Sequence, residues 1–261
     1  MKLSRMAVLF ALLAASVVAF ALPAPAQEKK PQLYFAEYYA VKPPMVAQFE
    51  AAVKEMNASL WTAFAWPWKM ETYSTEDFYY YFFYPFENLT EVDKAFSTFE
   101  TILAKLGPEK WDVINKKFGS ASEYFKQFTT TLMPELSYVP EKPRLKPEEM
   151  KFVYWGFCYV LPGKEKEFEA QFKKIVALFK AKNVDHGFNT CVGGIGLDLP
   201  LYIYAEAGKS AADFWLTSEK VMKVVDPEAT KLWNETLMLM RKYESKVGTP
   251  RPDLSYYPVK K

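Results

Sequence analysis

The chain contains one histidine, His186, in the run Asp185-His186-Gly187-Phe188-Asn189. A Ser-His-Asp triad or a site of several histidines is therefore built around this residue or not at all. Facing a barrel interior, its imidazole could serve as a general base or ligate a haem iron. At a strand end it would be an ordinary surface side chain. Carboxylates supply the other candidates. Glu37 stands in the middle of an aromatic run from Leu33 to Val41, where an ionised group is costly without a partner. Lys69 and Glu71 alternate with Trp68 and Met70 on a second predicted strand. If Glu37 and Glu71 meet inside a barrel, with Lys69, they become acid–base candidates in a dry cavity. The alternatives are a structural ion pair or an outward face at a barrel mouth.

The binding candidates are aromatic. The sequence holds 7 Trp, 17 Tyr and 21 Phe, many of them in predicted strands. Tyr38, Trp68, Tyr80, Trp155, Phe157, Asn189 and Tyr202 are expected to line an interior suited to a flat or apolar ligand. The competing expectation is that these side chains fill the barrel. Gly193-Gly194-Ile195-Gly196 lacks the downstream Lys and Ser/Thr of a phosphate loop and links two strands. Cys158 and Cys191 fit no zinc spacing. A bond between them is possible, but their strands are not predicted neighbours, so they read as two buried thiols. No metal is expected, and haem at His186 is the one cofactor kept open.

These residues must be positioned by a repeated unit. Leu33 to Pro43 matches Phe152 to Pro162 at an offset of 119 residues. Phe49, Val53, Met56 and Leu60 match Phe168, Phe172, Ile175 and Phe179, each set drawing one apolar stripe along a helix. Thr90 with Asp93 and Ser210 with Asp213 read as capping boxes. Pro134 to Pro140 matches Pro252 to Pro258 and is expected to be the closing strand of each copy. In the first copy the strands are Leu33–Val41, Trp66–Tyr73, Phe78–Tyr84 and Leu136–Val139, with helices from Pro44 to Ala63, after Thr90 and after Pro108. In the second, strand two is Asp185–Val192 and strand three Leu199–Glu206. The order is βαββαβ, a ferredoxin-like unit with one bare apolar sheet face. Two copies bury those faces by packing sheet to sheet within one chain, an intramolecular α+β barrel. The first copy has Trp66 or Pro67 where His186 stands, and the second has Gly156 where Glu37 stands. That asymmetry points to the second copy as the one that keeps a site.

This pattern resembles the dimeric α+β barrel superfamily, within it most closely the NIPSNAP and antibiotic-biosynthesis-monooxygenase type. The features are Val41-Lys42-Pro43 and Val160-Leu161-Pro162 before helix one, and the helix start Asp226-Pro227-Glu228, with a closing strand ending at Pro258. The resemblance implies a scaffold that carries cofactor-free monooxygenases, haem-binding enzymes, small-molecule degraders and proteins without a known reaction. Haem-degrading members use an Asn, a Trp and a His. Trp155, His186 and Asn189 are the residues of those types here, although they do not map onto that family's positions.

Composition sets the rest. Half the residues are hydrophobic and 25% charged, which fits a folded globular protein and excludes a disordered one. Residues 1–26 read as a bacterial secretory signal: Lys2 and Arg5, an apolar run, then Ala24-Pro25-Ala26. Removing it leaves a chain of zero net charge, since Lys2 and Arg5 account for the whole excess of 33 basic over 31 acidic residues. Such a chain lacks the basic surface that nucleic-acid binding requires. The expected organisation is a first repeat over 27–140, a proline-containing linker over 141–149, and a second repeat over 150–261. The expected protein is a periplasmic or secreted monomer with no membrane contact after cleavage. It binds a small apolar or aromatic molecule between its sheets. The alternatives are a cofactor-free or haem-linked monooxygenase, or a structural, partner-binding protein with a filled barrel.

Overall fold

Strands such as Tyr79–Phe86 and Phe152–Val160 are apolar on two faces, so each face needs its own cover. The computed structural model describes residues 30–258. The expected leader lies outside them. The first half runs β1 (Gln32–Val41), α1 (Val46–Met56), a π-helical turn (Asn57–Thr62), β2 (Glu71–Thr75), β3 (Tyr79–Phe86), α2 (Leu89–Leu106), α3 (Pro108–Ala121) and β4 (Ser122–Leu132). The second runs β5 (Phe152–Val160), α4 (Glu165–Ala181), β6 (Phe188–Gly193), β7 (Leu201–Gly208), α5 (Ala211–Val225), α6 (Glu228–Leu237) and β8 (Met240–Pro250). The predicted apolar stripes are the buried ones: Phe49 and Val53 on α1, Phe168 and Phe172 on α4.

The eight strands form one closed antiparallel barrel in the order β1-β3-β2-β8-β5-β7-β6-β4. Within it the first half runs β4-β1-β3-β2 and the second β8-β5-β7-β6, the same order. Two seams join the halves. Tyr73, Ser74 and Thr75 pair with Pro250, Thr249 and Gly248, and Thr130, Thr131 and Leu132 pair with Gly193, Val192 and Cys191. Closure satisfies strand edges that two open sheets would leave bare. The helices cover the outside, giving two outer cores, one around Phe49, Trp61 and Phe82 and the other around Phe168, Val160 and Tyr202.

Several boundaries differ from the sequence reading. The segments Pro134–Pro140 and Pro252–Pro258 are not the closing strands; β4 and β8 precede them. Each proline segment follows its strand as an irregular tail, with single bridges at Tyr138 to Phe188 and Tyr256 to Met70. Polar residues such as Glu123, Lys126, Arg241 and Lys242 make β4 and β8 read as continued helix. Strand β2 begins at Glu71, so Trp66 and Trp68 lie in the preceding turn. The first capping pair is Asn88 with Glu91, whose carboxylate accepts from the Glu87 N–H, and not Thr90 with Asp93. Ser210 caps as expected, accepting from the Asp213 N–H, while the Asp213 carboxylate accepts from the Lys209 N–H, one residue before the cap. Cys158 and Cys191 are free thiols on non-adjacent strands.

The seam between β2 and β8 depends on Gly248. A Cβ there would overlap the Ser74 carbonyl oxygen and crowd Trp155 at 2.8 Å. Because the obstacle is backbone, Gly248→Ala is expected to destabilise the protein by about 1–3 kcal/mol, the usual range for forced overpacking. A chemical-denaturation midpoint equal to that of the parent chain would contradict this role.

Candidate functional site

Strand alternation assigns each candidate to the barrel interior or to the helix-covered face. On β1, Tyr39 packs on Phe49 and Phe118 at 5.4 and 5.7 Å between ring centres, so Phe35, Glu37 and Tyr39 face the helices. Tyr34 and Tyr38 face inward, where Tyr38 meets Tyr79, Tyr81 and Phe128. Trp155 also points inward, 5.7 Å from Tyr73 and 6.3 Å from Tyr81. By register Phe157 and Asn189 share that interior.

Three binding candidates lie on the other face. Trp68 packs between Trp66 and Phe86 and donates its indole N–H to Glu91 at 2.9 Å. Tyr80 packs on Phe49 and donates to Glu50 at 2.6 Å. Tyr202 packs on Phe168 and donates to Glu169 at 2.8 Å. Parity opposite to that of Tyr38 places Tyr80 and Tyr202 in the outer cores, and Trp68, from the turn before β2, joins the same core as Tyr80. Both faces of these strands are aromatic, so residue type alone does not separate them.

Glu37 and Glu71 do not meet. Glu71 is opposite inward-facing Phe83, while Glu37 is opposite outward-facing Phe82. Glu71 does pair with Lys69, at 3.0 Å. Burial first, then the nearby Glu71, pushes the Tyr34 hydroxyl up to about 12.

His186 is buried at 4% exposure. Its Nε2 lies 2.9 Å from Glu206, and its Nδ1 accepts from the Arg144 Nε–H at 3.4 Å. Arg144, from the connector between halves, also donates to both oxygens of Asp213, at 3.1 and 2.8 Å. These groups edge a cavity of about 360 Å³ at one barrel mouth, which brings Trp155, His186 and Asn189 to a common wall. Neither imidazole nitrogen is left to bind iron. Among the described residues no group of three His, Cys, Asp or Glu side chains could hold a metal. As placed here, with both nitrogens engaged, His186 would have to give up Glu206 or Arg144 to ligate a haem iron.

The larger cavity, about 410 Å³, lies outside the barrel in the first half. The outer faces of β1, β3 and β4 form its floor, and α2, α3 and the π-helical turn form its walls. The turn supplies Trp61, its ring tilted against that of Trp66 with centres 4.5 Å apart. Trp61 and Phe99 are 5.7 Å apart, and Phe99 and Trp111 are 5.6 Å apart. The indole N–H groups of Trp61 and Trp66 are buried without partners.

Glu37 projects into this space. Its carboxylate accepts from the Tyr84 hydroxyl at 3.3 Å and from the Gln127 amide at 3.4 Å. Both contacts are long, and the single Tyr84 proton is shared with Met70 Sδ at 3.1 Å. Burial raises the Glu37 pKa above the ordinary carboxylate range, and the Gln127 and Tyr84 contacts only partly offset it. In the second half the corresponding β5 position is Gly156, and the Tyr204 ring occupies the space a side chain would need. The open outer cavity with a carboxyl therefore lies in the first half.

Sequence reasoning missed Arg144, Tyr84, Gln127 and Trp61 as site residues. Nothing local marks them; they reach their sites through strand register and chain crossing. The matching registers also put Trp68, and neither Trp66 nor Pro67, at the position corresponding to His186.

Solved structures share this fold. An anthrone oxidase-like protein superposes with a TM-score of 0.59 at 13% identity, over 85% of this chain and 92% of its own. A proposed monooxygenase from Fusobacterium nucleatum gives 0.53 at 11% identity, over 86% and 94%. A variant chlorite dismutase from Candidatus Nitrospira defluvii gives 0.50 at 11% identity, over 87% and 93%. No protein-family model and no curated protein matches the sequence. At these identities the likeness is one of fold, the dimeric α+β barrel type.

The raised Glu37 pKa carries a sign. The folded state holds this proton more tightly than the unfolded chain, so the carboxyl's contribution becomes unfavourable as pH rises from the ordinary Glu value through the folded one. Glu37→Gln is expected to match the parent's stability near pH 4 and exceed it at pH 7 to 8. Thermal melts in which the parent gains on the variant as pH rises would contradict this environment.

Proposed function

We propose that this is a small-molecule-binding α+β barrel protein whose site is the outer cavity of the first half, with an apolar or aromatic ligand. One observation carries the reading: an aromatic-walled space of about 410 Å³ holds an enclosed, weakly bonded carboxyl. That volume lies within the roughly 300–1,000 Å³ of ordinary ligand pockets. The barrel interior is a weaker candidate, because Tyr38, Tyr81, Phe83 and Phe128 fill its waist against one another. The shared strand order and the 119-residue offset support a doubled ferredoxin-like module of the NIPSNAP or monooxygenase type. Closure within one chain supports a monomer, and the leader supports export.

A second reading is favoured by the half-buried carboxyl together with the fold of the anthrone oxidase-like and monooxygenase neighbours. Glu37 would take a proton from an acidic carbon of a bound ring system. The resulting anion would reduce dioxygen; oxidation of a CH2 to a carbonyl consumes one O2 and releases one water. Oxygen uptake that depends on a ring ketone and is lost in Glu37→Gln would favour it.

Ala95 on α2 is buried against this cavity. Ala95→Phe should fill the space and weaken ligand binding about tenfold or more while the far-ultraviolet spectrum is kept. Native mass spectrometry of protein from its own host, followed by quenching of Trp61 and Trp66 fluorescence, supplies the readout. A copurified molecule bound equally by parent and Ala95→Phe would place the site elsewhere.

A further inference from the structure

We infer that the ligand of the outer cavity is a lipophilic organic cation, an amine held as its ammonium ion against Glu37 with its apolar body among the aromatic walls. The inference rests on the reading of this cavity as the binding site and names what it selects.

The sign of the cavity comes first. Its lining includes two carboxyl side chains, Glu37 on the floor and Glu123 at the rim, and no Lys, Arg or His. An anionic ligand would therefore meet like charge with nothing to offset it. Two other partly enclosed acids of this protein have a cation as partner. Glu50 is paired with Arg251, which lowers its pKa, and Asp213 is paired with Arg144. Among the described residues Glu37 has only the neutral Tyr84 and Gln127, both at long distance. A neutral ligand leaves that carboxyl without a counter-charge, whereas an ammonium supplies one.

The walls favour the same partner. Phe35, Phe96, Phe99, Trp61, Trp66 and Trp111 surround the floor. Aromatic rings attract cations through their negative faces, most strongly when water is excluded, and Trp is the strongest of them. A carboxylate beneath aromatic side chains thus recognises charge and apolar bulk together.

A pH signature follows. Besides Glu37, the cavity carries Tyr39 on the same strand, Tyr84 on β3, and Gln127, Glu123 and Tyr124 on β4; α2 contributes no charged group and α3 contributes Asn115. Tyr39 and Tyr84 are pushed up by burial and then by Glu37, so they stay neutral. Ammonium binding requires ionised Glu37, so affinity should rise with pH until that carboxyl is fully ionised. An alkylammonium itself stays charged to about pH 9.

The test uses three shape-matched probes in isothermal titration calorimetry: 1-naphthylmethylamine, 1-naphthalenemethanol and 1-naphthoate. At about pH 8 the amine should bind about tenfold more tightly than the alcohol, a difference of about 1.4 kcal/mol, with naphthoate weakest. Glu37→Gln should bring the amine to the level of the alcohol and leave the alcohol unchanged. At about pH 5 the amine should lose affinity while the alcohol does not. Equal binding of amine and alcohol, or an amine affinity untouched by Glu37→Gln, overturns the inference and leaves the binding site standing. Failure of all three probes to bind overturns the cavity as a binding site, and the inference with it.

Discussion

Closure of the sheet is the constraint on which the other features depend. Two seams of three residue pairs each turn eight strands into one barrel. Closure fixes which side of every strand is inside, because successive side chains alternate and a one-residue slip would reverse them all. Tyr38, Phe83 and Trp155 are thereby inner residues, while Glu37, Tyr80, Trp68 and Tyr202 are outer ones. A site inside the barrel and a site beneath the helices are exclusive choices for any one strand position. Glu37 belongs to the second kind.

The two halves have the same strand order but treat their outer faces differently. On β5, Gly156 admits the Tyr204 ring, whose hydroxyl lies 2.7 Å from that of Tyr243, itself 2.8 Å from that of Tyr154. That hydroxyl chain closes the space with polar groups that satisfy one another. On β1, the corresponding Glu37 needs room and water or a partner, and the helices α2 and α3 stand over a cavity. The difference at one position, Glu37 against Gly156, thus accompanies the difference between a packed outer core and one that holds a cavity. The unpartnered indoles of Trp61 and Trp66 belong to the same wall, in keeping with buried unpaired polar groups gathering near functional sites.

The second charged cluster has a structural reading. Arg144 holds the connector to α5 through Asp213 and to β6 and β7 through His186 and Glu206. Asp213 also caps the start of α5 by accepting from the Lys209 N–H. In the first half Glu91 does the matching work, accepting from the Glu87 N–H and from the Trp68 indole. Helix-start acids in both halves therefore anchor the segment that leads into the second strand. The only histidine is part of that anchor, which is why a residue type so suggestive of chemistry has no free nitrogen.

Periodicity and spacing by themselves determined the element types, their order and the helical stripes, because helix and strand periods are local properties of the chain. They also made Glu37 conspicuous as a carboxyl set among aromatics. The closing strands were hidden, since β4 and β8 carry charges that a lone strand would not announce and the proline segments after them look more regular than they are. Only the tertiary structure decided which face of each strand is the interior. Two aromatic faces are equivalent until the seams pair Thr75 with Gly248 and Leu132 with Cys191. It also decided that Glu37 faces Tyr84 and Gln127 and not Glu71, because those meetings depend on register between strands distant in sequence, and no spacing along one segment encodes them.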